Sequence, residues 1–226
     1  MSSCSRIIVP TADGSHTIAI RDTDLTYHSR HGAIQESQHV FIRAGLHEVS
    51  RRFSDELLQV FEMGFGTGLN AFLTVLEARQ LRRRVSYTTI ESFPIPLEET
   101  VALNYPEQLG SPELFAALHT CAWEAQLPVT GLFDLKKVKT DLLRYEVPAG
   151  LHLVYFDAFA PGAQPALWTE EVFRRLGQAL VPGGILVTYC SKSDVRSALQ
   201  AAGFTVEKLP GPRGKREMLR AVAGGL

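Results

Sequence analysis

The chain has 226 residues, 45% of them hydrophobic and 21% charged, enough for the core of one globular domain, and no apolar stretch nears the roughly 20 residues that span a membrane. A formal net charge of −1 excludes a generally basic nucleic-acid binder, so any RNA contact has to come from local patches. Cys4, Cys121 and Cys190 lie far apart without a CxxC pair, which argues against a disulfide framework or a zinc site, and the start MSSCSRIIVP lacks a signal peptide's apolar core, so a cytoplasmic location is expected.

The N-terminal block holds Tyr27, His28, His31, Glu36 and His39 within 13 positions, a spacing too loose for a metal site, and no metal is expected. LLQVFEM, Leu57 to Met63, reads as a buried strand. LNAFLTVLEARQLRRR carries apolar residues at Leu69, Phe72, Leu73, Leu76 and Leu81, the spacing of a helix. VSYTTIES is rich in strand formers and ends near Glu91. LKKVK is a further short strand, and LHLVYFDAF, Leu151 to Phe159, has the continuous apolar character of a central parallel strand. Thr169 followed by two acids caps the helix TEEVFRRLGQAL, and PGG is expected to close it before the strand GILVTYC.

Such strand–helix alternation predicts a parallel sheet covered on both faces. The ending departs from it: after the helix SDVRSALQAAGF come TVEKLP and EMLRAVA, two strands joined by GPRGKR. A terminal hairpin of this kind belongs to class I methyltransferase folds rather than to a standard dinucleotide domain.

FEMGFGTGLN, Phe61 to Asn70, sets Gly64, Gly66 and Gly68 at alternate positions between a strand and a helix, where backbone passes close to a ligand. A dinucleotide fingerprint requires a glycine at position 69, which is Leu69. The GxGxG pattern suits S-adenosylmethionine, with Glu62 and Asn70 flanking the turn as further cofactor-binding candidates. Glu91 stands 23 residues past Gly68, where an acid accepts from ribose hydroxyls, and Asp141 after LKKVK is placed to accept from the adenine amine.

Asp157 to Pro161 (DAFAP), Pro165 to Trp168, Pro182 to Gly184, Ala202 to Phe204, Lys215 to Leu219 and Tyr27 to Phe41, with the glycine turn, resemble the methyltransferase domain of the tRNA-modifying MnmC family, including its stand-alone form. The resemblance runs from about Asp24 to about Ala221. It implies a class I methyltransferase fold of seven mostly parallel strands, residues 51–226, behind a β-rich N-terminal extension, residues 1–50, that covers the cofactor through Tyr27, Gly32 and Glu36. The reaction implied is methylation of 5-aminomethyl-2-thiouridine at the tRNA wobble position. Since the chain ends at residue 226, the FAD-dependent activity of bifunctional members is not expected here.

Asp157 is then the catalytic candidate, orienting the acceptor amine or taking its proton. Phe93, Phe159, Trp168 and Tyr27 are candidates to stack on an unstacked base. Among three basic clusters, 79–84, 136–139 and 213–220, the last supplies Lys215 and Arg216 as candidate anticodon phosphate contacts. Competing readings are a small-molecule amine methyltransferase, an aminopropyltransferase of the spermidine-synthase kind and a non-catalytic RNA-binding relative. The aminopropyl reading calls for extra carboxylates after the glycine turn, where none occurs before Glu77.

Overall fold

The apolar runs anticipated as strands lie side by side in one sheet. In this computed structural model, which describes residues 6–54 and 57–224, the strands are β1 (Arg6–Pro10), β2 (His16–Ile20), β3 (Leu58–Met63), β4 (Val85–Ile90), β5 (Gln126–Thr130), β6 (Phe133–Val138), β7 (Leu151–Phe156), β8 (Leu180–Thr188), β9 (Phe204–Pro210) and β10 (Glu217–Ala223). The helices are α1 (Ala33–Ser37), α2 (His47–Arg52), α3 (Leu69–Leu81), α4 (Leu97–Thr100), α5 (Tyr105–Leu109), α6 (Pro112–Thr120), α7 (Glu170–Ala179) and α8 (Ser193–Ala201). A π-helical stretch, Gln38–Leu46, joins α1 to α2.

The large sheet has the order β5-β6-β4-β3-β7-β8-β10-β9. Its centre, from β6 to β8, is parallel, and β10 runs antiparallel to both β8 and β9. This is the class I methyltransferase architecture with its terminal hairpin. It has eight strands rather than seven, because β5 adds an antiparallel edge beside β6. Pro128 within β5 explains why the apolar pattern there is weak: a strand carrying proline is tolerated at an edge.

β3 pairs with β4 on one side and β7 on the other, so the strand order reverses at β3 and a crevice opens beyond the carboxyl ends. One face of the sheet packs Val60, Leu153 and Ile185 with Phe72 of α3 and Phe41 of the π-helical stretch. The other packs Phe61, Val154 and Leu186 against Phe173 of α7 and Leu199 of α8. Thr169 Oγ1 accepts from Val172 N at 3.3 Å and caps α7 as expected.

Two local expectations change. The N-terminal extension opens on the hairpin β1–β2 and is then helical over 33–52, because Ala33, Ile34, Phe41, Leu46 and Val49 recur at helical spacing and are buried. PGG is not a turn ahead of β8 but lies inside it. Gly183 takes a φ of 79° and the pairing with β7 shifts register, so the break in the apolar pattern is a bulge. No described helix is long and apolar enough to cross a membrane.

Candidate active site

β3 leaves the sheet at Met63 and turns through the glycines into α3, and the turn forms the floor of a cavity of about 340 Å³. Gly64 has a φ of 92°, and a Cβ there would stand 3.2 Å from the Asp157 carbonyl oxygen. Gly66, with a φ of 49°, would bring a Cβ to 3.1 Å from the Tyr27 ring. Both positions therefore demand glycine for conformation and for space.

Glu91 follows β4 and lines the same cavity. Its Oε2 accepts from Gly66 N at 3.1 Å and its Oε1 from Phe93 N at 2.9 Å. The carboxylate thus holds the turn while each oxygen keeps a second lone pair for a hydroxyl donor. Asp157 follows β7 directly across the switch point. Its Oδ2 accepts from Asn70 Nδ2 at 2.8 Å. Burial, and then the charge of Glu36, push the Asp157 carboxyl up to about 7, against the opposing effects of Asn70 and Lys215.

The N-terminal extension and the terminal hairpin build the opposite wall. Tyr27 meets Phe159 edge-on with centroids 5.2 Å apart. His28 Nε2 lies 2.7 Å from Thr67 Oγ1 in the glycine turn, and burial lowers the imidazole to about 4, so it is neutral near pH 7. Glu36 Oε2 accepts from Ser29 N at 2.8 Å, while its Oε1 is ion-paired to Lys215 Nζ. That ammonium also sits 4.0 Å from the centroid of the Tyr189 ring, whose hydroxyl donates to the Ala158 carbonyl at 2.8 Å.

The cavity thus brings together Tyr27, Glu36, Gly64, Gly66, Asn70, Glu91, Phe93, Asp157, Phe159 and Lys215 from the expected set. The others stand elsewhere. Glu62 is wholly buried beneath the turn and does not line the cavity. Gly68 caps α3 in a left-handed conformation, with His119 packed where a Cβ would be. Asp141 is exposed outside the lining and accepts from Leu143 N at 2.8 Å, the geometry of a turn cap.

Trp168 is no stacking platform: it is buried against Phe156 and Phe173, and its indole N–H donates to the Phe159 carbonyl at 2.9 Å. Lys215 points inward to Glu36 rather than outward to phosphate, whereas its neighbour Arg216 is exposed. His31 and His39 serve the hairpin, one beside Gly214 and the other bonded to the Pro210 carbonyl at 2.8 Å.

His28, Thr67, Gln164 and Tyr189 also line the cavity and were missed from sequence. Tyr189 is next to last in the run GILVTYC and directly follows β8, and its place at a strand's carboxyl end is the one available signal. The other three are polar residues in loops or turns: His28 and Thr67 meet across 39 positions of the chain, and Gln164 accepts from Phe159 N at 2.8 Å, five positions away.

The cavity suits a ligand that combines a narrow amino-acid arm with a ribose. The glycine cradle is closed to any Cβ, and the Glu91 carboxylate stands beside it. Residues 118–224 match a family model described as S-adenosyl-L-methionine-dependent methyltransferase. The fold is similar to the crystal structure of MnmC2 from Aquifex aeolicus, with a TM-score of 0.81 and 24% identity over all of this chain and 72% of that one. A spermidine synthase from Thermotoga maritima gives a TM-score of 0.53 at 13% identity, over 96% of this chain and 72% of that chain. A probable spermidine synthase from Corynebacterium glutamicum gives 0.56 at 17%, over 99% of this chain and 77% of that chain. At these identities the likenesses establish the fold.

Proposed function

We propose that this chain methylates the primary amine of 5-aminomethyl-2-thiouridine at the wobble position of tRNA, using S-adenosylmethionine. The observation that carries this reading is Asp157: a carboxyl raised to about 7 at the strand switch point, beside the glycine cradle, in a family-type DAFAP turn. The sequence resemblance to MnmC supplies the nucleoside, and the fold shared with MnmC2 is in keeping with it.

Bound in the cradle, S-adenosylmethionine supplies a methyl group made electrophilic by its sulfonium. The backbone of Gly64 and Gly66 would pass along it, Glu91 would accept from its ribose, and Tyr27, in the extension formed by residues 1–50, would cover it. Asp157 in its charged form attracts the acceptor ammonium and takes a proton from it, leaving the lone pair free to attack. A base titrating near 7 is matched to that task at neutral pH. Phe159 and the exposed ring of Phe93 give the flipped base apolar faces at the cavity mouth.

The test is to incubate the protein with S-adenosylmethionine and tRNA from cells lacking the final wobble methylation, then weigh the nucleosides. Conversion of the aminomethyl to the methylaminomethyl form is expected. No conversion, with calorimetry still detecting cofactor, would reject the tRNA substrate. A parallel reaction with decarboxylated S-adenosylmethionine and putrescine tests the aminopropyl alternative, and no product is expected there.

A further inference from the structure

Among the described residues no cation pairs with the Glu62 carboxyl. Strand alternation turns it to the face of β3 shared with Val60, under α3. Its partners across the sheet are Thr89 on β4 and Tyr155 on β7, and its exposure is 0%. Thr89, Asn70 and Tyr87 are the polar side chains beside it, and Asp157 is a charge of like sign. A bare carboxylate so enclosed is strongly disfavoured. Burial accordingly pushes Glu62 up to about 8, helped by Asp157.

A neutral acid carries an O–H, which needs an acceptor. Asn70 Oδ1 is buried without a partner, as are both Glu62 oxygens, while Asn70 Nδ2 is committed to Asp157. We infer that Glu62 acts as a neutral donor to Asn70 Oδ1 and thereby holds the amide with its NH₂ toward Asp157. The order is then Glu62 O–H to Asn70 C=O, and Asn70 N–H to the Asp157 carboxylate. Thr89 and Tyr87 hydroxyls, also buried and unpartnered, are the other polar groups beside the Glu62 carboxyl.

Without the Glu62 proton the two ends of the amide are nearly equivalent in shape, and a flip would set Oδ1 against the Asp157 carboxylate and repel it. Glu62 is in this sense a positioning residue, one shell behind the reacting atoms and outside the cofactor cradle. Its activity readouts rest on the proposed methyl transfer; its protonation does not.

Tyr87 and Tyr155 facing it are themselves raised far above neutrality, Tyr87 by burial first and then by Glu62, and Tyr155 by burial. Burial raises both carboxyls, Asp157 to about 7 and Glu62 to about 8, so Glu62 still donates at neutral pH.

Glu62→Leu is expected to lower kcat about 100-fold, as a misplaced catalytic group does, with the cofactor Kd unchanged. Glu62→Gln, whose amide also donates, should restore most of that loss and abolish the alkaline decline of the wild type above pH 8. Infrared difference spectra of wild type against Glu62→Gln, without any substrate, should contain the C=O stretch of a protonated carboxyl at pH 7 and lose it at pH 10. A carboxylate band alone at pH 7, or cofactor affinity lost equally in both variants, would overturn the assignment. Should the wild type fail to methylate the nucleoside, the infrared band still decides the state of Glu62.

Discussion

The cavity has two walls made in different ways. One is the sheet wall of Gly64, Gly66, Asn70, Glu91 and Asp157, placed by the ends of neighbouring parallel strands and the first turn of α3. The other joins Tyr27, His28 and Glu36 near the start of the chain to Lys215 near its end. Its central tie is the Glu36–Lys215 ion pair between residues 179 positions apart. The first wall is held by strand pairing and backbone hydrogen bonds, and under the proposed function it carries the chemistry. The second depends on side chains meeting, and sets closure and the local field.

The sharpest way to break the first wall is Asp157→Ala. Turnover is expected to fall by about 10² to 10⁴, the range for a lost proton acceptor, while calorimetry gives an unchanged cofactor Kd. In the wild type the same group fixes the acid limb. Burial raises its pKa, so the carboxyl stays neutral and inert below about 7, and kcat/KM should rise as pH passes through that value. Undiminished turnover in the variant would remove Asp157 from the reaction.

Gly66→Val tests the seam where the walls touch. A β-branched residue at a φ of 49° carries strain of about 1–2 kcal/mol, and its side chain would press on Tyr27, 3.1 Å from the Cβ position. Cofactor affinity should weaken at least about tenfold, since 1.4 kcal/mol is a factor of ten. Titration calorimetry giving wild-type affinity would mean that the cradle is not at Gly66.

How far each wall could be seen from sequence follows the same division. LLQVFEM, VSYTTIES and LHLVYFDAF announce parallel strands by apolar continuity, and the acids just beyond their ends inherit positions from the sheet. The positions of Glu91 and Asp157 just past β4 and β7 are legible for that reason. Glu62 was assigned to the cofactor because sequence adjacency to the turn cannot say which face of β3 a side chain occupies relative to the cavity. Trp168 and Lys215 were misplaced for another reason. An aromatic or a lysine in a loop reads as available, and only long-range contacts reveal Phe156 and Phe173 around the one and Glu36 beside the other. The bulge in β8 escapes a sequence reading because a bulge has no periodicity of its own.

Lys215→Met should break the second wall while leaving the first intact. Glu36, with a side chain 7% exposed, would lose its cation, at a cost of about 2 kcal/mol in urea unfolding; that lies below the usual range for a broken buried pair because the lysine is partly solvated. The double variant Glu36→Gln with Lys215→Met should regain part of the loss, because no uncompensated carboxylate remains. Lys215 also lowers the pKa of Asp157. Its removal therefore moves the acid limb of the pH profile upward. An acid limb that stays in place would show that the ammonium does not reach Asp157 through the cavity.

The smallest effect separates two adjacent cations of one loop. Arg216 is exposed and Lys215 is turned inward, so under the tRNA reading Arg216 is the one of the two that can meet a phosphate. Arg216→Ala should raise the KM for tRNA severalfold with kcat unchanged. It should also reduce the slope of log affinity against log salt by about one, the signature of one lost phosphate contact. Lys215→Met should leave that slope unaltered, because its charge is already taken by Glu36 and the Tyr189 face. If the slopes changed the other way round, the loop would have to turn over on binding RNA, and the Glu36 pair would then be a latch released by the substrate rather than a fixed part of the wall.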